Sequence, residues 1–299
     1  MKYTKPALSF EGQADLLIQR GLIADRKELV DRLSSVNYYR LSSYLYPFKL
    51  ADDHFKPGTT LTTVWRHYTF DRRFRLLVLD ALERVEVAVR TQMTYHFSME
   101  YGPFDYFRRD RFPKLSDGQF QIWKGDIDRE IKNNYRDYSI VHFTGKYGDV
   151  HPYPPLWIVC ELMSFGKTLT FYRGVEVELK RKVSYEYGIA DELLFSWLRT
   201  LNEVRNVCAH HGRLWNRILG SKPFMPRPNK APEWFAPIRI PNDRMFGVLT
   251  ILRYLLRYAA PTTKWSQRFL NLLSEYPEIP LHWMGFPEWW AESPLWREQ

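Results

Sequence analysis

Arg205 and His210 bracket the one compact set of chemically versatile side chains in the sequence, Arg205-Asn206-Val207-Cys208-Ala209-His210. An imidazole titrates near neutrality, so it can accept the 2′-hydroxyl proton of RNA or protonate a departing 5′-oxygen. A guanidinium offers a planar fork of donors to phosphate oxygens, where negative charge collects in the transition state. The Asn206 amide can orient either group. Cleavage of this kind needs two proton transfers, and one such segment supplies one histidine. Two copies meeting across a two-fold axis supply both, so the constellation implies a homodimer. The bland reading of the same residues is a solvated helix face, since an arginine and a histidine at this spacing often arise by chance.

The element that must hold these residues reads as one long helix over 190–217. Successive residues turn by about 100°. Asn202, Asn206 and His210 therefore share one stripe, with Arg205 beside it and Arg213 close by. Leu194, Trp197, Leu198, Leu201, Val204 and Cys208 form the apolar side, which anchors the core and leaves the polar stripe free for chemistry. His211 offers a second register. His210 is preferred because it lies over Asn206, whereas His211 is expected to rotate toward the apolar side.

A second long helix is expected from Thr62 or Thr63 to about Glu100, with an apolar stripe through Val64, Phe74, Leu77, Val78, Ala81, Val85, Ala88, Val89 and Met93. Its other side carries Asp71, Arg72, Arg75, Glu83, Arg84, Glu86 and Arg90, spaced for ion pairs on a solvated face. Glu83 or Glu86 is a candidate for orienting Arg205. Upstream, residues 1–58 read as a small helical module: a helix over 10–20, a second opened by Asp25 and running to Leu33, then an aromatic segment from Val36 to Tyr44. Residues 59–217 form the main helical domain, in which 104–155 is insertion-like and holds a helix over 117–135 and a loop over 145–155. Pro155 opens a further helix that is interrupted at Ser164-Phe165-Gly166, and another spans 176–187. Residues 218–299 form a carboxy-terminal extension: a proline-rich stretch, helices over 243–260 and 263–276, and a tryptophan-rich tail that should pack on the body or on a partner. Strands are scarce, so the fold class is mainly α.

The 299 residues are 45% hydrophobic and 16% aromatic, too apolar for a disordered chain. No apolar run reaches the length of a membrane span. The amino-terminal sequence lacks the pattern of a secretory signal. Cys160 and Cys208 read as buried free thiols, and a cytoplasmic protein is expected. No paired Cys, His or carboxylate spacing of a metal site and no glycine-rich phosphate loop is present, so no metal or cofactor is expected. The formal charge of +9 points to a polyanionic partner. For RNA, the candidate contacts are Arg40, Arg72, Arg73, Arg108, Arg109 and Arg217.

The segment from Arg205 to His210 resembles the Arg-x4-6-His motif of HEPN-domain ribonucleases, including the polar residue after the arginine. Four stretches, in order, resemble the Abi family, the AbiD/AbiF-like abortive-infection proteins of bacteria. They are Asn37-Tyr38-Tyr39-Arg40-Leu41-Ser42; Phe70-Asp71-Arg72-Arg73-Phe74-Arg75 leading to Leu82-Glu83-Arg84-Val85-Glu86; Pro155-Leu156-Trp157 to Ser164-Phe165-Gly166; and Arg205 to His210 followed by Arg213-Leu214-Trp215-Asn216-Arg217. The resemblance implies a helical HEPN bundle and a composite ribonuclease site at a dimer interface, with Arg205 and His210 catalytic and Asn206 as the intervening polar residue. It also implies a toxin-like antiphage role and control by a small non-coding RNA. The alternative is a scaffold in phage defence that uses the same helix to dimerise and grip RNA without cutting it.

Overall fold

Helix α4, Leu61–Tyr101, is the spine on which the other helices are assembled. Neither proline nor glycine interrupts its 41 residues, which at 1.5 Å per residue extend about 60 Å. The Thr60 hydroxyl accepts from the Thr63 amide and caps the start, ahead of Thr62 and Thr63, the caps expected from sequence. Gly102, at φ 84°, turns the chain away at the end.

A computed structural model describes Lys2 and residues 6–297. Met1, Tyr3, Thr4 and Lys5, part of the amino terminus read above as lacking a secretory signal, lie outside the described residues, as do Glu298 and Gln299. Before α4 come α1 (Phe10–Gln19), α2 (Arg26–Val36) and α3 (Tyr38–Leu45). After it come α5 (Asp117–Asn133), α6 (Tyr138–Tyr147), α7 (Leu156–Val159), α8 (Phe165–Gly174) and α9 (Val177–Tyr185). Then follow α10 (Asp191–Ala209), α11 (Met245–Ala259) and α12 (Trp265–Glu275). Among the described residues β-structure amounts to two isolated bridges. The fold is mainly α.

α4 packs against α3, α7, α8, α9, α10, α11 and α12, and α10 in turn lies on α4, α8, α9 and α11. The apolar side of α10 predicted from sequence is buried throughout, from Leu194 to Cys208. One continuous cluster of buried side chains runs from Ala14 to Trp296. The proline-rich stretch is tied to α10 by side chains. Trp197 Nε1 donates to the Phe224 carbonyl at 2.8 Å, the Phe224 amide donates to Ser196 Oγ at 2.8 Å, and Glu203 accepts from the amides of Gly220 and Ser221.

Two expectations of detail are corrected. Residues 138–147, read partly as loop, form α6, capped by Asp137. The break after α7 falls at Met163, and Ser164 caps α8 instead of interrupting a helix. The tryptophan-rich tail folds onto the body: Trp296 stacks on Phe246 and its Nε1 donates to Thr250 Oγ1 at 2.9 Å, while Trp283 packs on Trp215. Both cysteines are free and buried. Among the described residues no helix is long and apolar enough to cross a membrane.

Candidate active site

α10 ends at Ala209, eight residues before the end expected from sequence, and the way it ends shapes the site. His210 is the C-cap, His211 follows in the left-handed conformation at φ 58°, and Gly212 comes next. The His211 amide donates to the Cys208 carbonyl at 3.0 Å and the Gly212 amide to the Val207 carbonyl at 2.8 Å. This pair of bonds is a Schellman closure, in which glycine usually takes the left-handed place. Here a histidine takes it. His211 is thereby swung out to solvent, not toward the apolar side as the helical projection implied.

Tertiary bonds hold this turn in place. Asp71 of α4 is fully buried and accepts from the Leu214 amide at 3.1 Å, the Trp215 amide at 2.8 Å and the Tyr44 hydroxyl at 2.6 Å, while pairing with Arg75. Burial pushes the Asp71 carboxyl above the usual carboxylate range, against the pull of Arg75, Tyr44 and the two amides. Arg75 also reaches the Gly212 carbonyl at 3.3 Å. From α3, Arg40 Nη1 donates to the His211 carbonyl at 2.8 Å, and Arg213 returns a bond to the Ser43 carbonyl. Asp71 and Arg75 therefore belong to the interior, not to a solvated face of α4. Arg213 is likewise not on the stripe of α10 but is engaged with α3.

Sequence reading missed this cluster, although a signal was present. Asp71 sits seven residues after Val64 and seven before Val78, on the same stripe as both.

Asn206 and His210 both lie exposed at the end of α10, and the His210 amide still donates to the Asn206 carbonyl at 2.9 Å. The one-turn spacing of the two residues thus survives the end of the helix. Arg205 is half-buried beside them, and its Nε stands 3.9 Å from Glu86 Oε2. Glu86 itself is largely buried and accepts from Arg90 at 2.8 Å. Its carboxyl is raised above its ordinary value by burial, with Arg90 and Arg205 opposing the rise. Arg90 is anchored in turn on the Met163 carbonyl at 3.0 Å and lies 3.6 Å from Glu161. Of the two proposed carboxylates, Glu86 is the one facing Arg205; Glu83 is exposed on α4. Asn202 is half-buried, with its amide beside Gly166 at the start of α8.

The six candidate RNA-binding arginines separate. Arg40 and Arg72 line one cleft of about 460 Å³ between the α1–α3 unit and α4, together with Arg75 and His211. Arg73 pairs with Glu275 of α12, Arg108 with Asp110, and Arg109 with Asp117 while donating to two backbone carbonyls. Those three already carry carboxylate partners. Arg217 is exposed beyond the turn. Among the described residues no group of three or more His, Cys, Asp or Glu side chains converges as metal ligands would.

Beside Glu86 the exposed side of α4 is apolar. Val87, Tyr95 and Met99 follow at one- and two-turn spacing, Met99 is 72% exposed, and Trp157 of α7 adds a ring that is 54% exposed. Tyr95, Met99 and Trp157 border a second groove of about 420 Å³ that extends to Cys160 and Glu161.

No curated protein and no solved structure matches the chain. A family model described as Abi-like protein matches residues 31–216. That span takes in α3, the Asp71 cluster, α10 and the turn after it, and it points to abortive infection, a form of phage defence. The match covers well over half of the sequence, and the chain belongs to the Abi-like protein family.

Proposed function

We propose that this protein is a HEPN-type endoribonuclease acting in phage defence, with Arg205 and His210 as its catalytic pair and Asn206 orienting them. The observation that carries the reading is that all three side chains stand at the solvent side of α10 with no role in the core, while Glu86 faces the guanidinium. His210 would transfer protons at the 2′-hydroxyl and the leaving 5′-oxygen, and Arg205 would bear the charge of the phosphorane-like transition state. Neither role requires a metal ion.

One chain offers one such histidine on α10, so the active species is a homodimer with a composite site. The apolar strip of Val87, Tyr95, Met99 and Trp157 supports this, because it begins at Val87, the residue after Glu86, and is of the kind that marks protein contacts. A bound non-coding RNA would regulate the enzyme by occupying the same face.

The test is cleavage of single-stranded RNA by purified protein in the presence of EDTA. Products ending in 2′,3′-cyclic phosphate are expected, with loss of cleavage in His210→Ala and Arg205→Ala. Cleavage that survives His210→Ala in a folded protein refutes the assignment. RNA binding without cleavage by the wild-type chain supports the scaffold reading instead.

A further inference from the structure

The cleft beside the turn has a chemistry of its own. It is lined by α1, α2, α3, α4 and His211, the second residue beyond α10, and among the described residues no acidic side chain lines it. Arg75 is neutralised within it by Asp71. Arg40 and Arg72 have no carboxylate within 4.0 Å among the described residues, so the cleft carries an uncompensated positive charge. Arg40 uses one nitrogen on the His211 carbonyl, and the rest of its fork is available. Arg72 is exposed.

Polar and aromatic groups sit alongside these cations. Asn37 spends its Oδ1 in capping α3, where it accepts from the Tyr39 amide at 2.9 Å, and keeps both Nδ2 protons. Tyr68 and Phe10 contribute rings. A volume of about 460 Å³ is within the range that holds a small-molecule-sized group. Cations that take a phosphate, an amide that can read a base edge and rings that can stack on a base together describe a nucleotide subsite more closely than a site for a bare anion or an acidic peptide.

We propose that this cleft binds one nucleotide of a single-stranded RNA next to the scissile linkage. Arg72 and Arg40 take its phosphate, Tyr68 and Asn37 face its base, and His211 serves binding while His210 serves proton transfer. The inference rests on the RNA-cleaving reading above. It adds where the strand runs: from the end of α10 into the gap between α3 and α4. The two histidines, adjacent in sequence, are separated in role by the left-handed backbone at His211.

The experiment uses full-length His210→Ala protein, which should not cut, and a short labelled oligouridine in a salt titration. Arg72→Ala should weaken binding about tenfold and lower the slope of log affinity against log salt by about 0.7, the increment for one phosphate on a single strand. In the otherwise wild-type chain, Arg72→Ala should raise KM and leave kcat within about twofold. Arg129→Ala, which removes an exposed cation on α5, is the control and should change neither. Unchanged affinity and slope in Arg72→Ala, with RNA still cut by the wild type, overturns the cleft assignment and leaves the enzymatic reading standing. The Arg72 effect in a wild-type chain that never cuts RNA supports the subsite and overturns the enzymatic reading. A wild-type chain that neither binds nor cuts RNA overturns both.

Discussion

Replacing His211 by glycine separates the backbone of the turn from its side chain. At φ 58° an L-residue bears a cost of about 1–2 kcal/mol that glycine avoids. Against this, glycine adds conformational freedom to the unfolded chain worth about 0.4–1 kcal/mol. The His211 side chain is exposed, so little packing is lost. The balance favours the variant by about 0.5–1 kcal/mol. With about 2.1 cal/mol/K of unfolding entropy per residue over 299 residues, or about 0.6 kcal/mol/K, the melting temperature should rise by about 1–2 °C. The assay pairs a calorimetric melt with RNA cleavage at saturating substrate. His211→Gly should melt slightly higher and keep its kcat while its KM rises. A fall of more than about 2 °C would show that the imidazole, not the tertiary bonds, holds the turn. Loss of kcat in His211→Gly with retention in His210→Ala would exchange the roles of the two histidines.

Other perturbations test the supports of the site. Asp71→Ala leaves Arg75 buried without its carboxylate and the amides of Leu214 and Trp215 without their acceptor. Urea unfolding should show a loss of about 3–5 kcal/mol, and a loss below about 1 kcal/mol would mean that the cluster does not hold the turn. Glu86→Gln tests the carboxylate facing Arg205. Burial raises the Glu86 pKa with Arg90 and Arg205 already opposing the rise, so the folded state binds this proton more tightly than the unfolded chain. Stability is therefore lost as pH rises from the ordinary carboxylate range through the raised folded value. The variant escapes that loss and should melt above wild type beyond this window and level with it below, while cleavage falls about tenfold as Arg205 loses its positioning. A melting gap that narrows with rising pH contradicts the argument. Tyr95→Glu puts a charge in the exposed strip of α4 without touching the core. Sedimentation should show it monomeric where wild type is dimeric, with cleavage rising steeply with protein concentration; a monomeric wild type that cuts RNA equally well refutes the composite site.

The parts of the fold legible in the sequence are those written as periodicity. The apolar side of α10 is buried residue for residue, and α4 spans nearly the range its stripe implied, because long helices are set by local pattern and capping. What periodicity could not give was the end of α10. A helical projection carried on through Arg217, since nothing local stops it before Gly212, and glycine is the usual occupant of the left-handed place. The projection then put His211 and Arg213 on faces that do not exist beyond Ala209. Charge was misleading in the opposite sense. Asp71 and Arg75 are spaced for an exposed i,i+4 pair, and the same spacing serves a buried pair once Tyr44 and two backbone amides complete it. Only the heptad relation of Asp71 to Val64 and Val78 tells the two cases apart. The pairing of Arg73 with Glu275 and of Arg40 with the His211 carbonyl spans some 170 to 202 residues, and no local reading reaches that far.

These long-range bonds explain why a strained turn can be stable at all. A left-handed residue without glycine persists when its surroundings over-determine it, and the 211–215 chain is fixed at most of its backbone groups. The His211 carbonyl is held from α3, the Gly212 carbonyl by Arg75, and the amides of Leu214 and Trp215 by Asp71. Both anchoring elements, α3 and α4, are also walls of the basic cleft. A strand of RNA pressed into that cleft therefore meets a surface whose geometry is set by the same bonds that aim the end of α10. The amino-terminal helices then act as a brace for the Arg205–His210 segment, and their removal should cost the turn its conformation before it costs α10 its helix.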